Sequence, residues 1–418
     1  MNQKFLVAVS LILAGYSLTS CQRAAGTDPR IKPPSTLSSS DSLQKTARQL
    51  AHEFILVDTH VDLPYRLSQQ MEDISEETGG DFDYPRARDG GLNAPFMSIY
   101  VPTRYQEGGA RQIADQHIDL VEGLVSRWPD KFAPARSPAE VRQNFALGRI
   151  SLPLGMENGA PIEGDLHNLE HFYKRGIRYI TLAHAKSNHL CDSSYDPERR
   201  WNGLSPFGRK VVAEMNRLGI MIDVSHVSDE TFFQIMALTR APVIASHSSC
   251  RHFTPGWERN MSDAMLLELR DNGGVIQINF GSNFLSKTYR DGRQARERQI
   301  EEYFRLQGLQ RSSPKGRQYI EEYDRLNPVK YADVSDVAAH IDYVVRLIGI
   351  NHVGLGSDFD GVGDSLPVGL KDVSDYPNII HELLKRNYTR KQIEKICSGN
   401  LLRVWSEVEH ISRRLQAK

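Results

Sequence analysis

The sequence is poor in cysteine and has no surplus of charge of either sign. Four cysteines in 418 residues are too few for a disulfide scaffold, and no spacing among Cys191, Cys250 and Cys397 selects a pair. Lys and Arg number 51 against 52 Asp and Glu, a formal net charge of -1, whereas a protein built to bind nucleic acid would be basic. Hydrophobic residues make up 40%, so we expect a large folded core and no nucleic-acid partner.

The first twenty residues resemble a secretion signal. Lys4 precedes an apolar stretch, Phe5–Leu18, that is short for a membrane span and typical of a signal-peptide core. It ends in Leu18-Thr19-Ser20-Cys21, which resembles a bacterial lipobox, whose cysteine is acylated and becomes the mature N-terminus. We therefore predict lipidation of Cys21 and a membrane-anchored location in the bacterial cell envelope, periplasmic or surface-exposed. An ordinary secretory signal with a chance cysteine is the alternative.

The segment that follows the signal has the composition of a flexible tether. Residues 21–41 contain two consecutive prolines and a run of serine and threonine, with little to bury. No second apolar stretch of spanning length follows, so the rest of the chain is expected to be soluble. We therefore predict one folded domain over residues 42–418.

Short apolar or β-branched segments that end in polar or turn residues predict buried strands, with helical segments between them. Eight such strands alternating with helices over about 300 residues favour a (β/α)8 TIM-like barrel over an open doubly wound sheet. No Gly-x-Gly-x-x-Gly motif follows the first strand, which also argues against the open sheet. The predicted strands are Phe54–Asp62, Phe96–Pro102, Ile150–Asn158, Ile177–Ala185, Ile220–Ser228, Ala241–Ser249, Gly274–Phe280 and His352–Gly361.

One region interrupts this alternation of strands and helices. Residues 282–330, after the seventh strand, are rich in Tyr, Arg and Glu and contain no strand pattern. They predict a charged helical insertion with helices near Gln294–Gln310 and Gly316–Leu326. Such an insertion is either a solvated helical hairpin or a lid or dimer contact. The helices predicted elsewhere are Gln112–Trp128, Phe207–Leu218, Ala264–Arg270, Val334–Leu347 and Arg390–Val404.

Residues that can bind metal stand at the ends of six predicted strands, where a barrel places its active site. His60 and Asp62 share a face of an extended strand, and an imidazole with a carboxylate suits a divalent metal. Glu157 ends an otherwise apolar strand, where a buried carboxylate needs a partner. Any one of these residues is a weak signal, but a metal centre explains them together. The others are His184, Asp223, His226, His247, Asp358 and Asp360, of which Asp223 and Asp360 are interpreted as structural.

Eight short motifs occur in order between residues 54 and 405. Together they resemble the membrane dipeptidase family, also called renal or microsomal dipeptidases, within the metal-dependent hydrolase barrels. The resemblance covers nearly the whole predicted domain. The motifs are Asp58–Pro64, Gly155–Gly159, Tyr179–His184, Asp223–Ser228, Ala241–Ser249, Arg259–Asn260, Gly356–Val362 and Ser398–Val404.

The resemblance implies a binuclear zinc centre. His60 and Asp62 would bind one Zn2+, His226 and His247 would bind the other, and Glu157 would bridge the two. No expected ligand is missing, which argues against an inactive relative. The resemblance also implies a homodimer.

The resemblance assigns the substrate-contacting histidine to His184, the arginine that pairs with the substrate carboxylate to Arg259, and the catalytic aspartate to Asp358. The predicted reaction is hydrolysis of dipeptides by a hydroxide that bridges the two metals, with Asp358 taking its proton and passing it to the leaving amine. One alternative is another amidohydrolase-type enzyme on the same barrel, although the His-x-His usual there is His60-Val61-Asp62 here. The other is a non-catalytic surface lipoprotein that binds peptides or metal.

Overall fold

A parallel sheet of eight strands forms the centre of the molecule, and the chain visits these strands in order around it. The computed structural model describes residues 39–417. Parallel neighbours need crossover connections, and helices outside the sheet supply them. In chain order the strands are β1 Val57–Val61, β2 Ala94–Tyr100, β3 Phe132–Pro134, β4 Ile150–Leu152, β5 Leu154–Glu157, β6 Ile177–Thr181, β7 Met221–Asp223, β8 Ile244–Ser248, β9 Val275–Ile278 and β10 Val353–Leu355.

The sheet closes between β1 and β10. Val61 forms a parallel bridge with Phe359, and the N–H of Asp62 donates to the Phe359 carbonyl at 2.9 Å. The buried Asp58 carboxylate joins the same two strand ends by accepting the N–H of His60 at 3.1 Å and the N–H of Ser357 at 2.9 Å. The predicted (β/α)8 TIM-like barrel is therefore confirmed.

The third predicted strand is wrong in one respect. The segment Ile150–Asn158 contains two strands, β4 and β5, separated by Pro153. Proline has no N–H to donate to a ladder, so one continuous strand in the middle of a sheet is unfavourable there. Only β5 joins the barrel, between β2 and β6, while β4 pairs with β3 in a small separate sheet.

The helices lie where the sequence predicts them, with shifted ends. Arg390–Val404 is not one helix, because a π-helical turn at Lys395–Gly399 interrupts it. The start of α7 is capped as its sequence suggests, since the Ser205 side chain accepts the N–H of Gly208 and Pro206 follows it. The helices are α1 Ser39–Glu53, α2 Leu63–Gln69, α3 Tyr84–Gly90, α4 Ala110–Arg127, α5 Pro138–Ala146, α6 His167–Arg175, α7 Pro206–Leu218, α8 Asp229–Leu238, α9 Asp263–Asn272, α10 Ser282–Leu285, α11 Lys287–Gln307, α12 Pro314–Leu326, α13 Val334–Ile348, α14 Tyr376–Lys385, α15 Arg390–Glu394 and α16 Asn400–Gln416.

The charged insertion follows β9, the seventh strand of the barrel, and is helical as predicted. Its long helix α11 begins earlier than the sequence suggests, because Ser286 caps it by accepting the N–H of Tyr289. Arg296 binds both oxygens of Asp324 at 2.5 and 2.6 Å, which ties α11 to α12. The Tyr303 and Tyr319 rings stack at 3.6 Å between the same helices. The insertion is therefore a packed hairpin.

The N-terminal predictions lie mostly outside the described part of the chain. The signal at 1–20, Cys21 and most of the tether precede Ser39, where α1 already begins, three residues before the predicted domain start at residue 42. Within residues 39–417, no helix is both long and apolar enough to cross a bilayer. The three cysteines of this part of the chain are buried and unpaired in separate places in the fold: Cys191, Cys250 and Cys397.

Candidate metal centre and active site

The metal-binding residues predicted from separate motifs converge at the carboxyl ends of the barrel strands. They surround a cavity of about 540 Å³ that is open to the outside. His60 and His247 are buried beneath it, with exposures of 0% and 1%. The residues that line it include Asp62, Glu157, His184, His226 and Asp358.

Glu157 stands between two pairs of ligands. Its Oε2 lies 3.6 Å from His60 Nε2, which is itself 3.5 Å from Asp62 Oδ2. Its Oε1 lies 3.1 Å from His226 Nε2 and 3.3 Å from His247 Nε2. One carboxylate thus presents a different oxygen to each pair, which is the arrangement of a bridging ligand.

Unsatisfied polar atoms show that these residues fit divalent ions. His60 Nε2 and Asp62 Oδ1 are buried and have no hydrogen-bond partner, which is costly for a folded protein. His226 Nε2 and His247 Nε2 face each other at 2.8 Å, although two neutral imidazoles that both keep these atoms unprotonated cannot bond to each other. A cation among these atoms would satisfy them all. The donor set of imidazole and carboxylate is one that Zn2+ and related ions prefer.

A hydrogen-bond pair fixes the orientation of His60. Tyr179 donates its hydroxyl hydrogen to the Thr59 carbonyl at 2.9 Å, so its oxygen can accept the N–H of His60 Nδ1 at 2.9 Å. This assigns the hydrogen to Nδ1 and leaves the lone pair of Nε2 directed at the centre. Gly155 makes room for the tyrosine, because a Cβ there would lie 1.9 Å from its ring.

A longer relay fixes His247 in the same way. Ser246 Oγ lies 2.7 Å from His247 Nδ1 and donates to Asp223 Oδ2 at 2.6 Å. Asp223 also accepts the N–H groups of Ser246 and Ser225 at 2.8 and 3.0 Å. Asp223 therefore supports its neighbours, as the sequence predicts.

The electrostatics place charge where a metal bridge needs it. Burial opposes ionisation of Glu157, but the charges of His184 and His60 and hydrogen bonds from His226 and His247 hold its pKa well below the usual range. Burial, together with the charge of Arg259, lowers the pKa of His226 and His247 well below that of a free histidine. Neutral His226 and His247 and an ionised Glu157 are the forms that bind metal. At His60 the effect of burial is outweighed by Tyr179, Asp62 and Glu157, which raise its pKa well above that of a free histidine, so this residue would release a proton on binding metal.

Asp358 stands beside His60 and Asp62, with one ligand atom of each within 4.8 Å of the others, in a constrained position. Its φ of 66° lies in the left-handed region, which costs a non-glycine residue about 1 kcal/mol or more. Its N–H donates to the His60 carbonyl at 3.1 Å, and its Oδ2 accepts the Asn279 amide at 2.7 Å. Burial beside Asp62 and Glu157 raises its pKa to about 7, and His60 opposes this rise. A carboxyl group of that pKa can both take and give a proton at neutral pH.

His184 and Arg259 flank the same centre. His184 Nε2 lies 3.6 Å from Glu157 Oε1, and its ring packs edge-on to Tyr100 at 4.8 Å. Arg259 is only 2% exposed and donates to Ser248 Oγ at 2.7 Å and to the His247 carbonyl at 2.8 Å. Its Nε is the guanidinium atom that lacks a partner. His184 lines the cavity, while Arg259 lies behind its wall, with its guanidinium carbon 5.0 Å from the ring of the lining residue Phe284.

Asp360 has the structural role expected of it. Its Oδ2 pairs with Arg66 Nε at 3.1 Å, and its Oδ1 accepts the N–H of Asp81 at 2.7 Å. These contacts attach the loop after α2 to the end of β10. Asp360 also lines the active-site cavity, in keeping with its place at the end of the eighth predicted strand.

Comparison with known proteins gives the family. The family model described as membrane dipeptidase (peptidase family M19) matches residues 44–418. "Dipeptidase aclJ" of Aspergillus oryzae is 37% identical over 348 residues, covering 81% of this chain and 73% of its own length. "Dipeptidase 3" of Mus musculus is 32% identical over 382 residues, covering 89% of this chain and 68% of its own.

Solved structures agree with this assignment. The probable dipeptidase PvdM from Pseudomonas aeruginosa superposes with a TM-score of 0.77 at 28% identity, covering 88% of this chain and 99% of that one. A metallo peptidase from Rhodobacter sphaeroides, liganded with a phosphinate mimic of the dipeptide L-Ala-D-Ala, superposes with a TM-score of 0.69 at 25% identity. The superposition covers 85% of this chain and 99% of that one. The residues that the family model matches, 44–418, span every motif described above. The chain therefore belongs to the membrane dipeptidase family, peptidase family M19.

Proposed function

We propose that this protein is a binuclear zinc dipeptidase that hydrolyses dipeptides with a free C-terminal carboxylate. The observation that carries the proposal is the position of Glu157, whose two carboxylate oxygens face two separate pairs of metal-binding side chains. The dipeptidase names of its relatives and the dipeptide mimic in the Rhodobacter sphaeroides structure support the substrate class.

The proposed metal ligands form two pairs of side chains, one on each side of Glu157. His60 and Asp62 would hold one Zn2+, His226 and His247 would hold the other, and Glu157 would serve both pairs. When bound, the two ions supply a water of lowered pKa and therefore a nucleophile at neutral pH. Tyr179 and the Ser246–Asp223 relay keep the histidine lone pairs directed inward.

Asp358 moves the proton. Its Oδ2 is held by Asn279, so Oδ1 is the oxygen left to take a proton from the attacking water. The same oxygen then returns the proton to the leaving amine as the peptide bond breaks. Burial beside Asp62 and Glu157 raises the pKa of this carboxyl group, which favours its holding the proton between the two steps.

His184 and Arg259 orient the substrate. His184, at the cavity wall beside Glu157, would contact the scissile carbonyl and stabilise charge that develops on its oxygen. Arg259 would bind the C-terminal carboxylate through its unpartnered Nε and the adjoining N–H group. Arg259 is hydrogen-bonded to the carbonyl of the proposed ligand His247, so it would hold the substrate carboxylate near the reacting centre. A clamp there selects short peptides with a free C-terminus, which favours dipeptides.

The experiment that tests this function is a panel of dipeptides, with L and D residues at each position, assayed on zinc-loaded enzyme beside lactones and phosphotriesters. The proposal predicts turnover of dipeptides and little of the other two. Turnover of lactones or phosphotriesters alone would identify another hydrolase on this barrel. Zinc binding without turnover of anything in the panel would identify a binding lipoprotein.

Two further parts of the proposal concern location and assembly. The lipobox-like sequence at Cys21 supports a lipid-anchored protein of the bacterial cell envelope. The family resemblance supports a homodimer, for which light scattering on the tether-free domain is the direct measurement.

A further inference from the structure

A second cavity, of about 480 Å³, adjoins the active-site cavity. The two share three wall residues: Tyr195, Asn283 and Phe284. The far wall of the second cavity is the helix α11 of the insertion, which contributes Arg290, Arg293 and further side chains. The insertion therefore forms part of a compartment that opens beside the reacting centre.

An aromatic path leads from the metal centre into this second cavity. The Tyr195 ring lies 5.6 Å from His226 and 6.2 Å from Trp257, and Trp257 lies 5.1 Å from Phe284. Arg259 places its guanidinium carbon 5.0 Å from the Phe284 ring. The proposed carboxylate clamp therefore contacts a residue that both cavities share. The Cα of a substrate's C-terminal residue carries both carboxylate and side chain, so the side chain next to the clamp can enter the second cavity.

The α11 wall offers positive charge without full compensation. Arg290 has a buried Nη1 with no partner, and its guanidinium carbon lies 5.2 Å from the Trp257 ring. Its one hydrogen bond, from Nη2 to the Pro255 carbonyl, is long at 3.4 Å. A half-buried arginine with an unpartnered N–H group, held over an aromatic ring, is prepared to receive an anion.

The neighbouring charges do not cancel this one. Arg293 pairs with Asp364 at 3.4 Å, but that carboxylate is 67% exposed, so the pair contributes little. Arg298 also lines the cavity. Of the two acidic residues of the wall, Glu297 is bound by Arg296 at 2.6 Å and by Arg311 at 2.5 Å, and Glu301 is exposed.

We propose that the second cavity binds the side chain of the substrate's C-terminal residue, and that Arg290 makes the enzyme selective for an acidic side chain there. The inference rests on the proposed dipeptidase function. An Asp or Glu carboxylate would accept hydrogen bonds from the free Nη1 of Arg290 while Arg259 holds the α-carboxylate. The neutral amides Asn and Gln have the same shape without the charge, so they measure the electrostatic part of recognition alone.

The test is kcat/KM of zinc-loaded enzyme for Ala-Glu against Ala-Gln, for Ala-Asp against Ala-Asn, and for Ala-Ala as the reference. One charge-assisted hydrogen bond predicts a preference of about tenfold for the acid over its amide. Arg290→Met removes the charge and keeps much of the side-chain volume, and it should bring the ratio close to one, mainly through a higher KM for Ala-Glu. Arg298→Met should reduce the ratio less, because that side chain is more exposed.

The matched control is Arg305→Met, on an exposed part of the same helix and outside the cavity wall, which should leave every ratio unchanged. An acid-to-amide ratio of one or below in an enzyme that hydrolyses Ala-Ala would overturn the inference and leave the dipeptidase function standing. Loss of the ratio in Arg305→Met as well as in Arg290→Met would also overturn it. Absence of Ala-Ala hydrolysis by the zinc-loaded wild type would instead refute the proposed function.

Discussion

The Tyr179 hydroxyl lies 2.9 Å from His60 Nδ1 and donates its own hydrogen to the Thr59 carbonyl, also at 2.9 Å. These two contacts determine which nitrogen of His60 is free. A residue on β6 thus orients a proposed metal ligand on β1. Tyr179 is 0% exposed, so the contact is made deep in the barrel, away from competing water.

Tyr179→Phe should weaken metal binding. Removing the hydroxyl leaves the Nδ1–H of His60 without its acceptor, and loss of such an outer partner costs about 10- to 100-fold in metal affinity. Competition with a zinc chelator measures the change. Tyr323→Phe, which removes a hydroxyl from α12 in the insertion, is the control and should bind zinc as the wild type does. Equal zinc affinity in the Tyr179 variant would show that the hydroxyl does not orient the ligand.

Asp358→Asn should keep both metals and lose most turnover. The amide has nearly the shape of the carboxylate but cannot take a proton from water, and general acid–base catalysis contributes about 10²- to 10⁴-fold. The measurement is kcat on a good dipeptide together with zinc per chain. Turnover equal to the wild type with full zinc content would remove Asp358 from the proton-transfer role.

Gly361→Ala should damage the centre although glycine has no side chain. A Cβ at residue 361 would lie 2.2 Å from Asp62 Oδ2 and 2.4 Å from Asp358 Oδ1, so one or both carboxylates must move. We expect a fall in kcat/KM of at least about tenfold, since misplacement of reacting groups by 1 Å can cost about 100-fold. Gly123→Ala in α4 has no atom within 4 Å of its new Cβ and is the control. Wild-type kinetics in both variants would mean that the centre tolerates the methyl group.

Protonation of His340 should lower the free energy of unfolding in acid, independently of the metal centre. This histidine is fully buried, accepts the N–H of Cys250 at Nδ1 and bonds the Leu285 carbonyl through Nε2. Burial lowers its pKa from 6.5 to about 4. The unfolded chain therefore binds a proton below about pH 6.5 that the folded chain refuses until about pH 4, so stability is complete above that window and is lost as the pH falls through it.

Urea unfolding of zinc-free protein at pH 7.5 and pH 5.0 measures this effect. His340 should account for about 2 kcal/mol of the fall in the free energy of unfolding between these two pH values. His340→Gln, which can keep one donor and one acceptor, should lower stability at pH 7.5 but show a smaller fall at pH 5.0. In His167→Gln, at an exposed position, the free energy of unfolding should fall between these pH values by as much as in the wild type. An identical fall in all three proteins would assign the acid sensitivity to other groups.

Cys21→Ala should release the protein from the membrane. The prediction follows from the lipobox-like sequence, in which the cysteine carries the acyl chains. Partition of the full chain between detergent and aqueous phases measures it, with Cys250→Ala as the control. A wild-type protein that stays wholly in the aqueous phase would contradict lipidation.

The sequence predicts the barrel and the metal ligands because both depend on local patterns. His60 and Asp62 share one strand, and Glu157 ends another whose other residues are apolar. In a (β/α)8 barrel the carboxyl ends of all strands lie at one face. Residues at these ends therefore come together however far apart they are in the chain. The sequence does not predict the division of Ile150–Asn158 into β4 and β5, because the apolar residues on both sides of Pro153 have the pattern of one continuous strand.

Residues that act through distant partners could not be predicted in the same way. The Tyr179 hydroxyl reaches His60 across 119 positions of the chain, and the Asn279 amide reaches Asp358 across 79. Nor does the charged composition of α11 reveal that Arg290 faces a cavity beside the active site. Such contacts depend on side-chain packing between elements, which spacing within one element does not encode.

We propose above that Glu157 bridges two metal ions and that both ions are needed for peptide hydrolysis. The most direct measurement is a titration of metal-free enzyme with zinc, following dipeptide turnover and bound zinc together. We expect turnover to be absent without metal and to reach its maximum at two bound zinc ions per chain. Full turnover at one zinc per chain, or turnover that survives removal of metal, would contradict it.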